Sequence, residues 1–277
     1  MKVLLCTDGS IAAEKAAGLV KLLLPDDGLD ITILGVHNEH APTAAIFTSF
    51  ERIEDVLGEG QLKRARVVRS GNFIQQVANA AREKPYQLVA VGENLKHFHV
   101  LWLLKSTSLG ERLAHRLAIP LLVARNVPAK ISKVLVCIGA KGPIDITLQQ
   151  AGVFISKTGA SVGLLHVMSQ LSLVYTASEA DLLDTGETSI QRATPEGKVL
   201  LHGVELFRRI GITNEIRPIL RHGLVLDEVM AELREGGYDL LVIGSHHREG
   251  QSMRMEWMLE DVANDLLSVA PCSVLVV

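Results

Sequence analysis

Lys2-Val3-Leu4-Leu5-Cys6 returns 131 residues later as Lys133-Val134-Leu135-Val136-Cys137. The next apolar run, Ile31-Thr32-Ile33-Leu34-Gly35-Val36-His37, returns at the same offset as Val162-Gly163-Leu164-Leu165-His166-Val167-Met168. Further on, Gln87-Leu88-Val89-Ala90-Val91-Gly92 matches Asp239-Leu240-Leu241-Val242-Ile243-Gly244 at 152 residues, and Leu121-Leu122-Val123 matches Val274-Leu275-Val276 at 153. Self-similarity at a fixed offset marks a duplicated structural unit. The halves therefore read as duplicates, the second longer by 21 residues. The Ser/Thr/Asp/Glu-rich stretch 171–196 is the place for that excess. It reads as a loop or a loosely attached helix, least ordered over 177–194.

Composition bounds the rest. A length of 277 residues accommodates two small domains, each able to bury a core. The 48% hydrophobic content and net charge of −3 exclude a disordered chain. With 28 Lys and Arg against 31 Asp and Glu there is no basic field for nucleic acid and none for an anionic membrane. Three scattered cysteines make neither a disulfide framework nor a zinc cluster, and Cys6 and Cys137 read as small apolar fillers. No apolar run reaches the ~18 residues of a membrane span, and MKVLLCTDGS turns polar too early for a signal peptide. The expectation is a cytoplasmic protein.

Within each half, short β-branched runs alternate with longer helical patterns. Strands that are apolar throughout and separated by helices imply a parallel sheet covered on both faces. The fold class is α/β, with two tandem doubly wound five-stranded domains at 1–127 and 131–277. Arg125-Asn126-Val127-Pro128-Ala129-Lys130 reads as the linker. Ser10 and Ser108, then Asp145, Thr194, Asp227 and Asp261, are the expected helix caps. The closing strands, Leu121–Ala124 and Val274–Val277, are edges that invite pairing with each other, an intramolecular pseudo-dimer. A homodimer of chains is a further expectation.

In such sheets ligands bind at the carboxyl ends of the strands. After the first strand comes Thr7-Asp8-Gly9-Ser10, whose acid has two readings: it holds a ribose hydroxyl or adenine amino group, or it organises a turn. After Gly244 comes Ser245-His246-His247-Arg248-Glu249-Gly250, a glycine-bearing loop before a helix that can wrap phosphate with backbone N–H groups. His246-His247 reads as solvated loop, since no Cys or carboxylate lies at ligand spacing. His166 reads as a satisfied core histidine. Trp102 and Trp257 read as packing residues, with base stacking as the sharper alternative.

The opening VLLCTDGS, LLHV at Leu164 to Val167, the turns at Gly71 and Gly223, DLLVIGSH at Asp239 to His246 and the closing VAPCSVLVV together resemble the universal stress protein family in both halves. The resemblance implies a Rossmann-like fold, of the adenine-nucleotide α-hydrolase type, with strand order 3-2-1-4-5 and pairing through the fifth strands. It also implies a division between members that bind ATP and members that do not. Binders share G-x-x-G, nine residues and G-[ST], with an acid after strand one and a valine ending strand two for the adenosine. In the first half Asp8, Val36 and Gly92 match, Glu93-Asn94-Leu95 lacks the second glycine, and Lys105, Thr107 and Ser108 stand at the phosphate end. In the second half Val167 and Gly244 match, with Ser245 and Gly250 in the loop. There Gly139-Ala140-Lys141 replaces the acid, and Glu260-Asp261 occupies the G-[ST] position.

No hydrolase or transferase constellation accompanies these residues: there is no G-x-S-x-G, H-E-x-x-H or Walker lysine loop. The expectation is a non-catalytic stress-response module with weak or absent adenine-nucleotide binding. It has no catalytic residue, no metal and no required cofactor, ATP or AMP being the ligands to test. A slow ATPase and a pure interaction scaffold are the alternatives. If either half binds nucleotide, the first should, because a carboxylate already occupies the helix start of the second.

Overall fold

The computed structural model describes residues 1–24, 28–38, 42–58, 63–93, 107–139, 144–168, 185–244 and 257–277. Two compact units emerge, Met1–Ala129 with Pro271–Val276, and Lys130–Ala270 with Val277.

The first unit runs β1 (Lys2–Thr7), α1 (Ala12–Leu23), β2 (Asp30–His37), α2 (Thr43–Leu57), β3 (Lys63–Ser70), α3 (Phe73–Glu83), β4 (Leu88–Gly92), α4 (Leu109–Ala114), β5 (Leu121–Ala124), and takes in β10 (Ser273–Val276). Its strands lie in the order β3-β2-β1-β4-β5-β10. The first five are parallel, and β10 is antiparallel to β5, Val274 opposite Val123 and Val276 opposite Leu121. The pairing expected of the two closing strands is thus present, and it lies inside the first unit.

The second unit contains β6 (Lys133–Ile138), α5 (Ile144–Ile155), β7 (Ser161–Met168), α6 (Gly186–Gln191), α7 (Pro195–Ile210), β8 (Ile216–His222), α8 (Val225–Gly236), β9 (Leu240–Ile243) and α9 (Trp257–Val269). Its strand order is β9-β6-β7-β8, all parallel. The expected order 3-2-1-4-5 holds for β3-β2-β1-β4-β5, and β10 is gathered with the first unit through its pairing with β5. The physical reason is the unpaired edge of β5, whose N–H and C=O groups the last strand satisfies.

Central strands are apolar on both faces, and Val3, Leu4, Leu5, Ile31, Ile33, Val134, Leu135 and Val136 are fully buried. The outer strands differ. β3 has no buried residue and carries Lys63, Arg64, Arg66 and Arg69, charges that keep an edge from pairing further. β8 holds Pro218, which cannot donate to a neighbouring strand. Beside it, α6 lies so close that a Cβ at Gly186 would come 2.3 Å from the Pro218 carbonyl oxygen.

That contact corrects the expectation for the 21-residue excess. Residues 185–191 are packed: Thr185 and Thr188 form a capping box, and Ser189 is fully buried. Residues 169–184 lie outside the described residues. Helix caps also need correction. Thr194 caps α7, with Pro195 at its first position, and Ser108 caps α4. Ser10 does not cap α1; its N–H donates to Asp8 Oδ1 at 3.0 Å, and the helix starts one residue later from Ile11. Asp145 and Asp227 sit in the first turns of α5 and α8 and are not N-caps. Asp261 is the fifth residue of α9 and so is not its N-cap either; its side chain lies outside the described residues.

The stretch read as a linker is part of the first unit through Ala129. Arg125 is buried, Val127 packs on Gly18 of α1, and the Asn126 side chain donates to the Pro271 carbonyl at 2.9 Å.

Candidate strand-end site

Register brings three of the expected residues together. Thr7 pairs with Gly35 and Cys6 with Val91, so Asp8, Val36 and Gly92 come one position later on adjoining strands. This is the carboxyl end of the first unit's sheet, where α/β proteins bind ligands.

Each residue there already has a local task. The Asp8 carboxylate accepts the Ser10 N–H, and Thr7 Oγ1 accepts the Gly9 N–H at 3.0 Å. Thr7 Oγ1 also lies 2.6 Å from the buried Ser49 hydroxyl. The Gly9 carbonyl accepts from Arg52 at 3.2 Å, and Arg52 is ion-paired with Glu14. Of the two readings of Asp8, this geometry displays the turn. Val36 is fully buried. Gly92 faces the start of α1: a Cβ there would stand 1.6 Å from the Ala12 carbonyl oxygen. The glycine is required for packing whatever else it does.

Past Gly92 the structure departs most from the expectation. Glu93 Oε1 accepts the Leu109 N–H at 2.8 Å, at the first turn of α4. Its Oε2 accepts from Arg125 NH2 at 2.8 Å, and the Arg125 side chain is only 1% exposed. The Ser108 hydroxyl accepts the Glu111 N–H at 3.0 Å, and the Glu111 carboxylate accepts the Ser108 N–H at 3.3 Å. Two carboxylates therefore converge on the start of α4. The expected contrast, an open helix start in the first half and an acid-blocked one in the second, does not hold for the first half. Thr107 is exposed beside this cap. Lys105 lies outside the described residues, as do Trp102, Ser245, the histidines 246 and 247, and Gly250. The side chains of Trp257, Glu260 and Asp261 are likewise outside them.

In the second unit Val167 pairs with Arg221 on β8, and Gly244 follows β9 beside β6. A Cβ at Gly244 would meet the Thr147 side-chain oxygen at 2.8 Å. His166 is buried, its Nδ1 3.1 Å from the Ile138 carbonyl oxygen, a satisfied core histidine as expected. Burial pushes the Cys6 thiol well above its ordinary range, which fits an apolar filler.

Two clusters carried no sequence signal: the Glu93–Arg125 pair, and a second around Glu232. Glu232 is 2% exposed on α8 and accepts from Arg217 (3.0 Å), Arg221 (2.6 Å) and Tyr238 Oη (2.8 Å). Burial and this hydrogen bond push the Tyr238 phenol upward. Buried charges of this kind persist only when paired, which the sequence does not display. Among the described residues no group of three His, Cys, Asp or Glu is placed to hold a metal ion, and no helix is long and apolar enough to cross a membrane.

Comparison with solved structures places this architecture. A universal stress protein from Archaeoglobus fulgidus DSM 4304 is similar over 99% of this chain and 95% of its own, with 17% identity and a TM-score of 0.66. A functionally unknown protein from Pseudomonas aeruginosa PAO1 is similar over 100% and 92%, with 14% identity and a TM-score of 0.59. At these identities the likeness concerns the fold, and it spans both halves. No curated protein matches the sequence. The model of the universal stress protein family matches residues 130–277, more than half of the sequence, and this chain belongs to that family.

Proposed function

We propose that the chain is a tandem universal stress protein, a non-catalytic stress-response or signalling module whose first-half strand-end site binds adenine nucleotide weakly or not at all. The observation that carries this reading is Glu93. Its carboxylate holds the Leu109 N–H and the buried Arg125, groups a phosphate would otherwise seek. A triphosphate arriving there meets Glu93 and Glu111 as like charges and must displace both. The β5–β10 pairing supports the further reading that one chain supplies to itself a strand contact that could otherwise come from a second copy.

Mass spectrometry of small molecules released from the purified, denatured chain tests the binding statement, with calorimetric titration by ATP. We expect no co-purified adenine nucleotide and a Kd on the order of micromolar or poorer. A stoichiometric nucleotide would overturn the binding statement, and ATP turnover by the intact chain would overturn the non-catalytic one.

A further inference from the structure

Four of the eight arginines of the first unit have a carboxylate among the described residues: Arg52 has Glu14, Arg66 has Glu54, Arg69 has Glu83 and Arg125 has Glu93. Arg112 and Arg116, on and just after α4, have none among the described residues. They line a cleft of about 530 Å³ between α3 and α4, together with His115, Ile74, Asn72 and Gln75. Among the described residues no carboxylate lines it. Arg116 donates to Gln75 Oε1 at 2.9 Å, which fixes one edge of its guanidinium and leaves its other N–H groups available. Asn72 Oδ1 is occupied capping α3 through the Gln75 N–H, at 3.1 Å. The surface exposed in the cleft is chiefly apolar, and among the described lining residues Ile74 is the apolar side chain.

Two guanidiniums line one cleft, and among the described residues neither has a carboxylate. A dianion would pair with both, and the planar N–H fork of arginine matches phosphate oxygens in pairs. The volume falls within the range of small-ligand sites, which combine an apolar lining with a few convergent polar groups. We propose that this cleft binds a phosphate monoester with an apolar body, its phosphate on Arg112 and Arg116 and its body against Ile74. It is separate from the strand-end site, and its test does not depend on the reading given for that site.

The test is an amide chemical-shift titration of the full chain with phenyl phosphate, with inorganic phosphate and benzoate in parallel. We expect saturable shifts at Gln75, His115 and Arg116, with phenyl phosphate binding about tenfold more tightly than either control. Arg112→Gln with Arg116→Gln should abolish them, whereas Arg82→Gln, an exposed arginine on α3 outside the lining, should not. Should the double variant fold poorly, the location of the shifts in the unaltered chain decides. Shifts absent up to about 10 mM, located elsewhere or retained in the folded double variant would overturn the proposal. So would equal affinity for inorganic phosphate or benzoate, or saturation by poly-glutamate in place of phenyl phosphate, which marks an acidic-protein surface.

Discussion

Replacing Gly92 by alanine should be far more damaging than the same change at its counterpart, Gly244. At Gly92 the new methyl would stand 1.6 Å from the Ala12 carbonyl oxygen and 2.2 Å from its carbon. An ordinary carbon–oxygen contact is about 3.3 Å, so the first turn of α1 must retreat by roughly 1.5–2 Å. That turn cannot retreat cheaply, because Ala12, Ala13, Ala16 and Ala17 are buried. Overpacking against mobile side chains costs about 1–3 kcal/mol, and against backbone the cost should be about 3 kcal/mol or more. At Gly244 the nearest atom is the Thr147 hydroxyl, which a rotation about χ1 can move aside, so the cost should stay below about 1 kcal/mol. Urea denaturation of both variants reads the difference. Hydrogen exchange localises it, since residues 12–23 should lose protection in Gly92→Ala and residues 144–155 should keep theirs in Gly244→Ala. Midpoints that agree between the variants, or unchanged protection of α1, would refute the packing argument and return Gly92 to a purely ligand-binding role.

Glu232→Ala should destabilise the second unit by about 1–3 kcal/mol, because it takes the acceptor from the half-buried Tyr238 hydroxyl, while Arg221 keeps Glu228 and Glu235. Glu232→Gln, which keeps the Tyr238 hydrogen bond, should cost clearly less, and equal losses in denaturant midpoint would count against that account. A third test is Glu54, whose carboxyl the Arg66 hydrogen bond holds below the ordinary glutamate value. A depressed folded-state pKa contributes stability above the unfolded value of about 4.3 and loses it as pH falls through the folded one. Glu54→Gln should therefore cost about 0.2–1 kcal/mol at pH 7, with wild type and variant converging on acidification; a gap that widens toward low pH would be the wrong sign.

Element type and order were legible because the buried strands are unbroken apolar runs and the offset repeat fixes which strand corresponds to which. The two outermost strands were less legible. RARVVRS at β3 is half charged, and it is a strand because β2 pairs with it along its whole length. The destination of the last strand was legible as an unsatisfied edge. Its membership in the first unit was not, since strand composition does not say which sheet completes it. The site divides in the same way. Asp8, Val36 and Gly92 lie together because register follows the apolar pattern. Glu93 stands at a variable position of the glycine motif, and a carboxylate's partner 32 residues away leaves no local trace.

The Glu93–Arg125 pair links two features that look independent in the sequence. Glu93 follows the first glycine of an incomplete glycine motif, and Arg125 opens a stretch with the composition of an exposed linker. In the structure each depends on the other. Arg125 can be buried because Glu93 neutralises it, and Glu93 is held at the start of α4 because its second oxygen rests on Arg125. The Arg125 N–H in turn donates to Ser273 Oγ at 3.1 Å, so the same residue anchors the incoming last strand. Glu93→Gly would free the Leu109 N–H and take one carboxylate away from the buried Arg125 guanidinium. On the reading proposed above, a phosphate at this strand end would draw on the Leu109 N–H and on Arg125, the residue that also anchors the last strand of the first unit.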